Sequence, residues 1–167
     1  MSENAVKSRA KHTYRTNLYA FVRDILVVCP CCTGKAVVLT GEFNTMKHER
    51  NAVRVICSGC GYNKVLDTIS HRQDPKQKQG VILKFGAPID PFFHLPVWLQ
   101  ADFSGETLWA YNHEHLDFLA QHVGAKLRER NGFAFNVRSI GARVPRWMTA
   151  ANNREAILKA IEKLRDT

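Results

Sequence analysis

Two Cys-x-x-Cys pairs constrain this chain more than any other feature of its sequence. Cys29 and Cys32 form the first pair, in Cys-Pro-Cys-Cys, and Cys57 and Cys60 form the second, in Cys-Ser-Gly-Cys-Gly. The 24 residues between the pairs can hold two strands and a loop. Each pair directs two sulfurs to one side of a metal ion, and structural zinc takes four thiolates in a tetrahedron. The spacing therefore predicts one structural Zn²⁺ held by these four cysteines.

Other uses of the thiols remain open on this evidence: disulfides, burial as small apolar side chains, or redox chemistry by one pair. The sequence contains no apolar run near the roughly 18 residues of a membrane helix, and no segment typical of a signal peptide. We therefore expect a cytoplasmic protein with no membrane partner, in which thiols stay reduced. We expect the fifth cysteine, Cys31, not to bind the metal, because a Cys-x-Cys spacing fits the turn less well than Cys-x-x-Cys.

Short segments rich in β-branched residues surround the cysteines and predict the antiparallel strands of a zinc ribbon. They are residues 25–28, 36–40, 52–56 and 63–67, separated by turn-forming glycine, asparagine and serine. A short helix is predicted over residues 14–24. The polar segment 70–80 is predicted to be a linker or an exposed loop.

The second half of the sequence predicts more strands and then helices. The candidate strands are 81–85, 97–101 and 106–111, with a turn at 102–105. Asn112 is a suitable N-cap for a helix, whose apolar stripe is Leu116, Leu119, Val123 and Leu127 and which stops at Asn131-Gly132. A last helix begins near Asn152 or Asn153 and carries Ile157, Ile161 and Leu164 on one face.

The predicted fold class is therefore α+β: a four-cysteine zinc ribbon with antiparallel strands, followed by a small strand-plus-helix C-terminal part. The predicted division is a basic tail and short helix over 1–25, the zinc ribbon over 26–69, and strands plus two or three C-terminal helices over 81–167.

The formal net charge of +9 is concentrated at the two ends of the chain. Residues 1–23 carry +4, residues 24–125 carry −1 and residues 126–167 carry +6. Such a distribution attracts polyanions, of which nucleic acid is the commonest in the cytosol, although it also serves solubility. The candidate nucleic-acid contacts are Arg128, Arg130, Arg143, Arg146 and Arg154. Trp147 lies among these arginines and could stack on a base or anchor the last helix.

Residues 29–61 resemble the zinc-ribbon superfamily, which includes transcription factors, ribosomal proteins and helicase insertions. The later stretches 95–100, 105–112, 115–116, 125–130 and 145–147 look like a family of small bacterial zinc-ribbon proteins. Some members carry labels taken from the replication restart helicase. The resemblance implies a zinc-ribbon fold and a bound zinc ion. We expect no helicase activity, because the chain contains no phosphate-binding glycine loop.

The sequence contains no catalytic motif that would indicate an enzyme. His113-Glu114-His115 has the wrong spacing for a metalloprotease, and no Pro-Cys-x-x-Cys follows it as in a zinc deaminase. We therefore expect a non-catalytic protein that binds nucleic acid through its basic N-terminal and C-terminal segments. The alternative is a protein-interaction adaptor that docks on a larger complex through the ribbon or an apolar segment. That segment contains Phe92, Phe93, Leu95 and Trp98.

Overall fold

The computed structural model describes residues 16–41, 53–66, 83–125 and 139–167. The chain forms two compact units: Phe21–Asn112, and His113–Thr167 together with Met1–Ala20. The first unit contains antiparallel strands and the second contains helices, so the fold class is α+β as predicted. Residues 83–112 belong to the same unit as the cysteine pairs, whereas the predicted boundaries at 25, 69 and 81 stay predictions.

The first unit is built on a four-stranded antiparallel sheet, which we call the ribbon sheet. Its strands are β1 (Ile25–Val28), β2 (Lys35–Leu39), β3 (Arg54–Ile56) and β4 (Asn63–Val65), in that order across the sheet. Alternate residues face the core, and the paired residues Ile25, Val38 and Val55 are fully buried. Burial of this row of β-branched side chains fixes the register, because a slip of one residue would turn the whole row to solvent.

A short segment covers the outer edge of β1. The backbone N–H of Val28 donates to the carbonyl of Pro96 at 2.9 Å, and the N–H of Trp98 donates to the carbonyl of Leu26 at 2.9 Å. These two bonds flank the antiparallel bridge between Val27 and Val97. Residues 96–98 therefore extend the ribbon sheet beyond β1.

A tight hairpin completes the first unit. It joins β5 (Leu99–Phe103) to β6 (Glu106–Ala110) through a two-residue turn, Ser104-Gly105. Both turn residues have positive φ, at 53° and 84°, as the turns favoured in two-residue hairpins require. The turn falls within the predicted 102–105, but the first strand starts at Leu99 and runs two residues further than predicted.

One predicted strand does not form where the structure describes it. Leu83–Phe85, the described part of the predicted strand 81–85, contains no strand. Gly86 follows with φ 83°, which turns the chain away from an extended path. The N–H of Lys84 bonds to the carbonyl of Pro91 at 3.4 Å, within a proline-containing loop rather than a ladder.

A buried carboxylate organises that loop. Asp90 is fully buried, and its two oxygens accept hydrogen bonds from the backbone N–H groups of Phe92, Phe93 and Leu95 at 2.9, 2.8 and 2.6 Å. His94, in the same turn, has φ 57°. The side chain of Asp90 thus satisfies backbone donors that have no strand partner.

The side-chain amide of Asn112 forms hydrogen bonds with the backbone that leads into β1. Its Nδ2 donates to the carbonyls of Phe21 and Arg23 at 3.1 and 2.7 Å. The segment before β1 includes a 3-10 helix over Leu18–Phe21. Within the described residues, this four-residue turn is the helical part of the predicted helix 14–24. Residues 14–15 of that prediction lie outside the described residues.

The second unit packs helices together. They are α1 (His113–Gly124), α2 (Ile140–Arg143), α3 (Arg146–Thr149) and α4 (Arg154–Arg165). The predicted stripes are buried: Leu116, Leu119 and Val123 on α1, and Ile157, Ile161 and Leu164 on α4. Arg165 of α4 bridges Asp117 of α1 at 2.5 Å, and α1 and α4 pack together. Leu127 and Asn131-Gly132, the predicted end of the first helix, lie outside the described residues.

Two backbone contacts join the N-terminal segment of this unit to the chain before α2. Asn17 and Ser139 form an antiparallel bridge, and the N–H of Ile140 donates to the carbonyl of Thr16 at 2.8 Å.

No helix among the described residues is long and apolar enough to cross a membrane.

Candidate metal centre

The four predicted ligands meet at one end of the ribbon sheet. The Sγ atoms of Cys29 and Cys60 are 3.7 Å apart, those of Cys32 and Cys57 are 3.6 Å apart, and all four lie within 4.8 Å of one another. A tetrahedron of Zn–S bonds near 2.3 Å places its sulfurs about 3.8 Å apart. A disulfide requires roughly 2.05 Å, so the cysteines are not disulfide-bonded. The four cysteines are therefore positioned to hold one metal ion.

The two cysteine turns have the same hydrogen-bond pattern. In the first, the N–H of Cys29 donates to the carbonyl of Gly34 at 2.8 Å, and the N–H of Thr33 donates to the carbonyl of Cys29 at 3.0 Å. In the second, Cys57, Gly61 and Tyr62 make the equivalent bonds at 2.8 and 2.9 Å. We call these turns the first knuckle (29–34) and the second knuckle (57–62). Each closes a hairpin, β1–β2 or β3–β4, so the strands fix the distance between the pairs.

The residue after the second cysteine of each knuckle is left-handed. Gly61 has φ 75° and Thr33 has φ 59°. Glycine adopts this conformation at no steric cost, whereas a β-branched threonine is an outlier there. The first knuckle thus has a strained Thr33 in the position where the second knuckle has Gly61.

Gly34 has a separate role in the first knuckle. A Cβ on Gly34 would lie 3.3 Å from the Sγ of Cys32, which is tighter than ordinary van der Waals contact. The space beside this sulfur therefore favours glycine.

Burial, backbone N–H groups and the neighbouring thiols together shift the pKa values of Cys29 and Cys60. Burial opposes ionisation of Cys29, but the N–H groups of Cys32 and Cys31 and the neighbouring thiols outweigh it and lower its pKa to about 7. The N–H of Tyr62 favours the thiolate of Cys60, but burial and the other three thiols raise its pKa to about 12. The protein alone thus favours the thiolate of Cys29 and disfavours that of Cys60. A divalent cation would supply the positive charge that lets all four ionise.

Cys31 lies outside the cluster. It is exposed, and its backbone N–H points to the Sγ of Cys29 at 3.4 Å. The set of residues close enough to share an ion contains Cys29, Cys32, Cys57 and Cys60 and not Cys31. Its backbone therefore contributes to the site, while its side chain is directed elsewhere.

The structure distinguishes among the predicted nucleic-acid contacts. Arg143 and Arg146 are exposed. Arg154 is half-buried, and its Nε donates to the carbonyl of Val123 at 3.1 Å, near the C-terminal end of α1, where a cation is favourable. Arg154 thus has a structural contact that its charge alone does not predict. Arg128 and Arg130 lie outside the described residues.

Most of the positive charge belongs to segments outside the described residues. The described residues contain eleven lysines and arginines and nine aspartates and glutamates, a net +2 of the chain's +9. The predicted basic N-terminal tail also lies outside them. Within the described C-terminal part, residues 139–153 include Arg143 and Arg146 and no acidic residue.

The aromatic residues singled out in the sequence take different positions. Trp98, Trp109 and Trp147 are each half-buried, and the carbonyl of Trp147 accepts a hydrogen bond from Asn153 Nδ2 at 3.0 Å. Phe92, one of the predicted docking residues of the adaptor alternative, is buried in the core. Phe93 is half-exposed.

The histidines near the start of α1 do not form a second metal site in the part of the chain that the structure describes. The metal-competent group found there consists of the four cysteines. His115 is buried, and desolvation lowers its pKa to about 3, which keeps it neutral. Glu114 and His113 are exposed in the first turn of the helix.

One surface was not predicted from the sequence: the solvent-facing side of the ribbon sheet. Strands β1 and β2 read Ile-Leu-Val-Val and Lys-Ala-Val-Val-Leu, with apolar residues on both faces rather than alternating with polar ones. A strand with one solvated face normally alternates. This lack of alternation was the available signal that the second face is apolar too.

No protein-family model matches the chain, and neither curated proteins nor solved structures gave a match. The likeness to a zinc ribbon therefore depends on the cysteine geometry, and the narrower resemblance to small bacterial zinc-ribbon proteins stays a prediction.

Proposed function

We propose that this chain is a non-catalytic zinc protein that binds a macromolecular partner and contains a four-cysteine ribbon held rigid by the metal. The observation that carries the metal assignment is the sulfur geometry. The Sγ atoms of Cys29 and Cys60 are 3.7 Å apart and those of Cys32 and Cys57 are 3.6 Å apart, close to the sulfur–sulfur distances of a zinc tetrathiolate. Four-sulfur tetrahedral sites take zinc or iron. The residues of the two knuckles would hold the ion, and the ion would lock the two hairpins together.

A structural role follows from the ligand set. Catalytic zinc sites leave one coordination position for water or substrate, whereas four cysteine ligands fill the tetrahedron. The strands of the ribbon are three to five residues long, and an isolated short hairpin is marginal in water. Metal binding would therefore supply much of the free energy that folds the ribbon.

The first candidate partner is nucleic acid. The supporting observation is the acid-free segment 139–153, in which Arg143 and Arg146 are exposed at the ends of adjacent one-turn helices. Such arginines contact phosphates, which position a protein without reading sequence. The predicted contacts Arg128 and Arg130, together with the basic N-terminal residues, would add to this charge.

A salt titration tests the nucleic-acid proposal. Affinity of the zinc-loaded chain for a labelled 20-nucleotide single strand and for a duplex is measured by fluorescence anisotropy across a range of salt concentrations. Each phosphate contact contributes about 0.9 to the slope of log affinity against log salt for duplex DNA. The double variant Arg143→Ala/Arg146→Ala is expected to reduce that slope by about 1.8.

Two lysines of α4 provide the matched control. Lys159 and Lys163 are exposed and lie on the same unit, but Glu155 and Glu162 belong to the same helix. The variant Lys159→Ala/Lys163→Ala removes the same charge and is expected to leave the slope unchanged. Absence of binding to either oligonucleotide at low salt would contradict the nucleic-acid proposal.

The second candidate function is a protein-interaction adaptor. The observation that favours it is the apolar solvent-facing side of the ribbon sheet, which bears half-exposed residues from β1, β2 and β3. Exposed apolar surface of this kind commonly marks a protein interface.

A further inference from the structure

One face of the ribbon sheet is buried and the other is accessible. Residues directly opposite each other on paired antiparallel strands point to the same face. The row Leu26, Val37 and Ile56 and the row Leu39, Arg54 and Val65 therefore share the face opposite the buried row. Val28 belongs to this face by alternation along β1.

Trp98 continues the same face beyond β1. The bridge between Val27 and Val97 places Trp98 opposite Leu26, beside the row that ends at Ile56. We call the combined surface the outer ribbon face; its apolar members are Leu26, Val28, Val37, Leu39, Ile56, Val65 and Trp98. Six of them are half-exposed and Val65 is 49% exposed.

The charges of the outer ribbon face have one sign. Lys35 pairs with Val28, and Arg54 lies between Leu39 and Val65, so both cations project on this face, and both are exposed. Strands β1 to β4 contain no aspartate or glutamate. An apolar patch flanked by two cations complements a partner with apolar and acidic side chains.

The same charges argue against two other occupants. A second copy of this face would bring Lys35 and Arg54 close to their own counterparts, and like charges in an interface are unfavourable. A single nucleic-acid strand gains affinity from several phosphate contacts and from a series of stacked aromatic side chains. This face offers two cations and one aromatic residue, Trp98.

We infer that the outer ribbon face binds a partner protein through a segment that combines apolar with acidic side chains. The row Leu26, Val37 and Ile56 with Trp98 would receive the apolar side chains, and Lys35 and Arg54 would receive the carboxylates. This inference deepens the adaptor candidate and requires the metal-held ribbon. It does not require Arg143 or Arg146, so it stands or falls separately from nucleic-acid binding.

Selection from a displayed library of random 12-residue peptides on the zinc-loaded full chain tests the inference. The expected result is enrichment of peptides that carry leucine, isoleucine, valine or phenylalanine together with aspartate or glutamate. One enriched peptide is then synthesised, and its affinity is measured by calorimetry. In the double variant Lys35→Glu/Arg54→Glu we expect this affinity to fall by at least about tenfold, since two attractive pairs become repulsive.

Lys64→Glu is the matched control. Lys64 pairs with the buried Val55, so it belongs to the opposite face of the sheet, but it is exposed and carries the same charge on the adjacent strand. This variant is expected to change the affinity by less than about twofold. A second pair, Val37→Thr/Ile56→Thr, keeps the β-branched shape and is expected to weaken binding by removing apolar contact.

Each variant is first checked for its metal content and thermal unfolding. If a double variant does not load metal, Val65→Glu provides the comparison, because this edge-strand position is 49% exposed. The inference is overturned if no peptide is enriched, if the enriched peptides are basic or uncharged, or if the face variants bind as tightly as the unaltered chain. It is also overturned if the face variants abolish self-association or oligonucleotide binding instead.

Discussion

Substitution of Gly61 by alanine tests the geometry of the second knuckle. Gly61 follows Cys60, has φ 75°, and donates its N–H to the carbonyl of Cys57 at 2.9 Å. An L-residue in this left-handed conformation costs roughly 1–2 kcal/mol. No atom lies within 4 Å of the added Cβ, so the substitution introduces strain without a steric clash. Alanine also restricts the unfolded chain, which offsets about 0.4–1 kcal/mol of that cost.

The net destabilisation is therefore about 1 kcal/mol. Folding of the ribbon is expected to be coupled to metal binding, so this free energy appears in the metal affinity. Gly61→Ala should weaken zinc binding by about fivefold. Competition with a chromophoric zinc chelator at constant pH measures this change directly.

Gly59 supplies the matched control in the same knuckle. Its φ is not in the left-handed region, and an added Cβ would meet the Sγ of Cys57 at 3.7 Å, an ordinary contact. Gly59→Ala should leave the zinc affinity unchanged or slightly stronger. Thr33→Gly should not weaken the affinity, because it removes strain at the equivalent position of the first knuckle. If Gly61→Ala binds zinc as tightly as the unaltered chain, or if Gly59→Ala weakens zinc binding equally, the left-handed conformation of Gly61 does not set the metal affinity.

Three further predictions concern individual side chains. Asp90→Ala removes the acceptor of three backbone hydrogen bonds and should destabilise the protein by about 2–3 kcal/mol in denaturant unfolding; an unchanged midpoint would contradict this role. Burial lowers the pKa of His115 from 6.5 to about 3, so between these pH values the unfolded chain binds a proton that the folded one does not. Stability is then full above pH 6.5 and falls by about 1.4 kcal/mol per pH unit as the pH decreases through that window. Hydrogen exchange of the α1 amides should show a shallower acid dependence in His115→Gln, and an identical dependence would refute the assignment. Cys31→Ser should leave the metal stoichiometry unchanged, whereas Cys57→Ser should lose the metal; loss in both would make Cys31 a ligand.

The cysteine spacing predicted the site because its consequences are local. A Cys-x-x-Cys turn places its two sulfurs within a few ångströms of each other whatever the rest of the chain does. The β-branched runs beside the turns then predicted the hairpins, and β1 has the bounds that the sequence indicated, Ile25–Val28. The apolar spacing of α1 and α4 likewise predicted their buried faces, because a helical stripe has only one way to reach the core.

The features that sequence reasoning missed depend on contacts between distant residues. The helical spacing before β1 does not reveal that Asn112 binds the carbonyls of Phe21 and Arg23. Charge alone groups Arg154 with the exposed arginines, whereas in the fold its Nε reaches the carbonyl of Val123. Local propensity favours a strand at 81–85, but the loop around Asp90 overrides it in the described part of that segment.

The outer ribbon face was missed for a related reason. Which side of a strand is solvated depends on the register with its neighbours, and that register becomes visible only when the strands are paired. Leu26 and Val37 therefore look like core residues in the sequence, but they are half-exposed in the fold.

We propose that Cys29, Cys32, Cys57 and Cys60 hold one zinc ion that organises the ribbon. Elemental analysis of the purified full chain, expressed without added metal and dialysed against metal-free buffer, tests it most directly. We expect one zinc per chain. A strong chelator should remove this zinc, and the strand signal in circular dichroism should then be lost. A protein with no bound metal, or one whose ribbon persists unchanged after the zinc is removed, would show that zinc does not organise the ribbon.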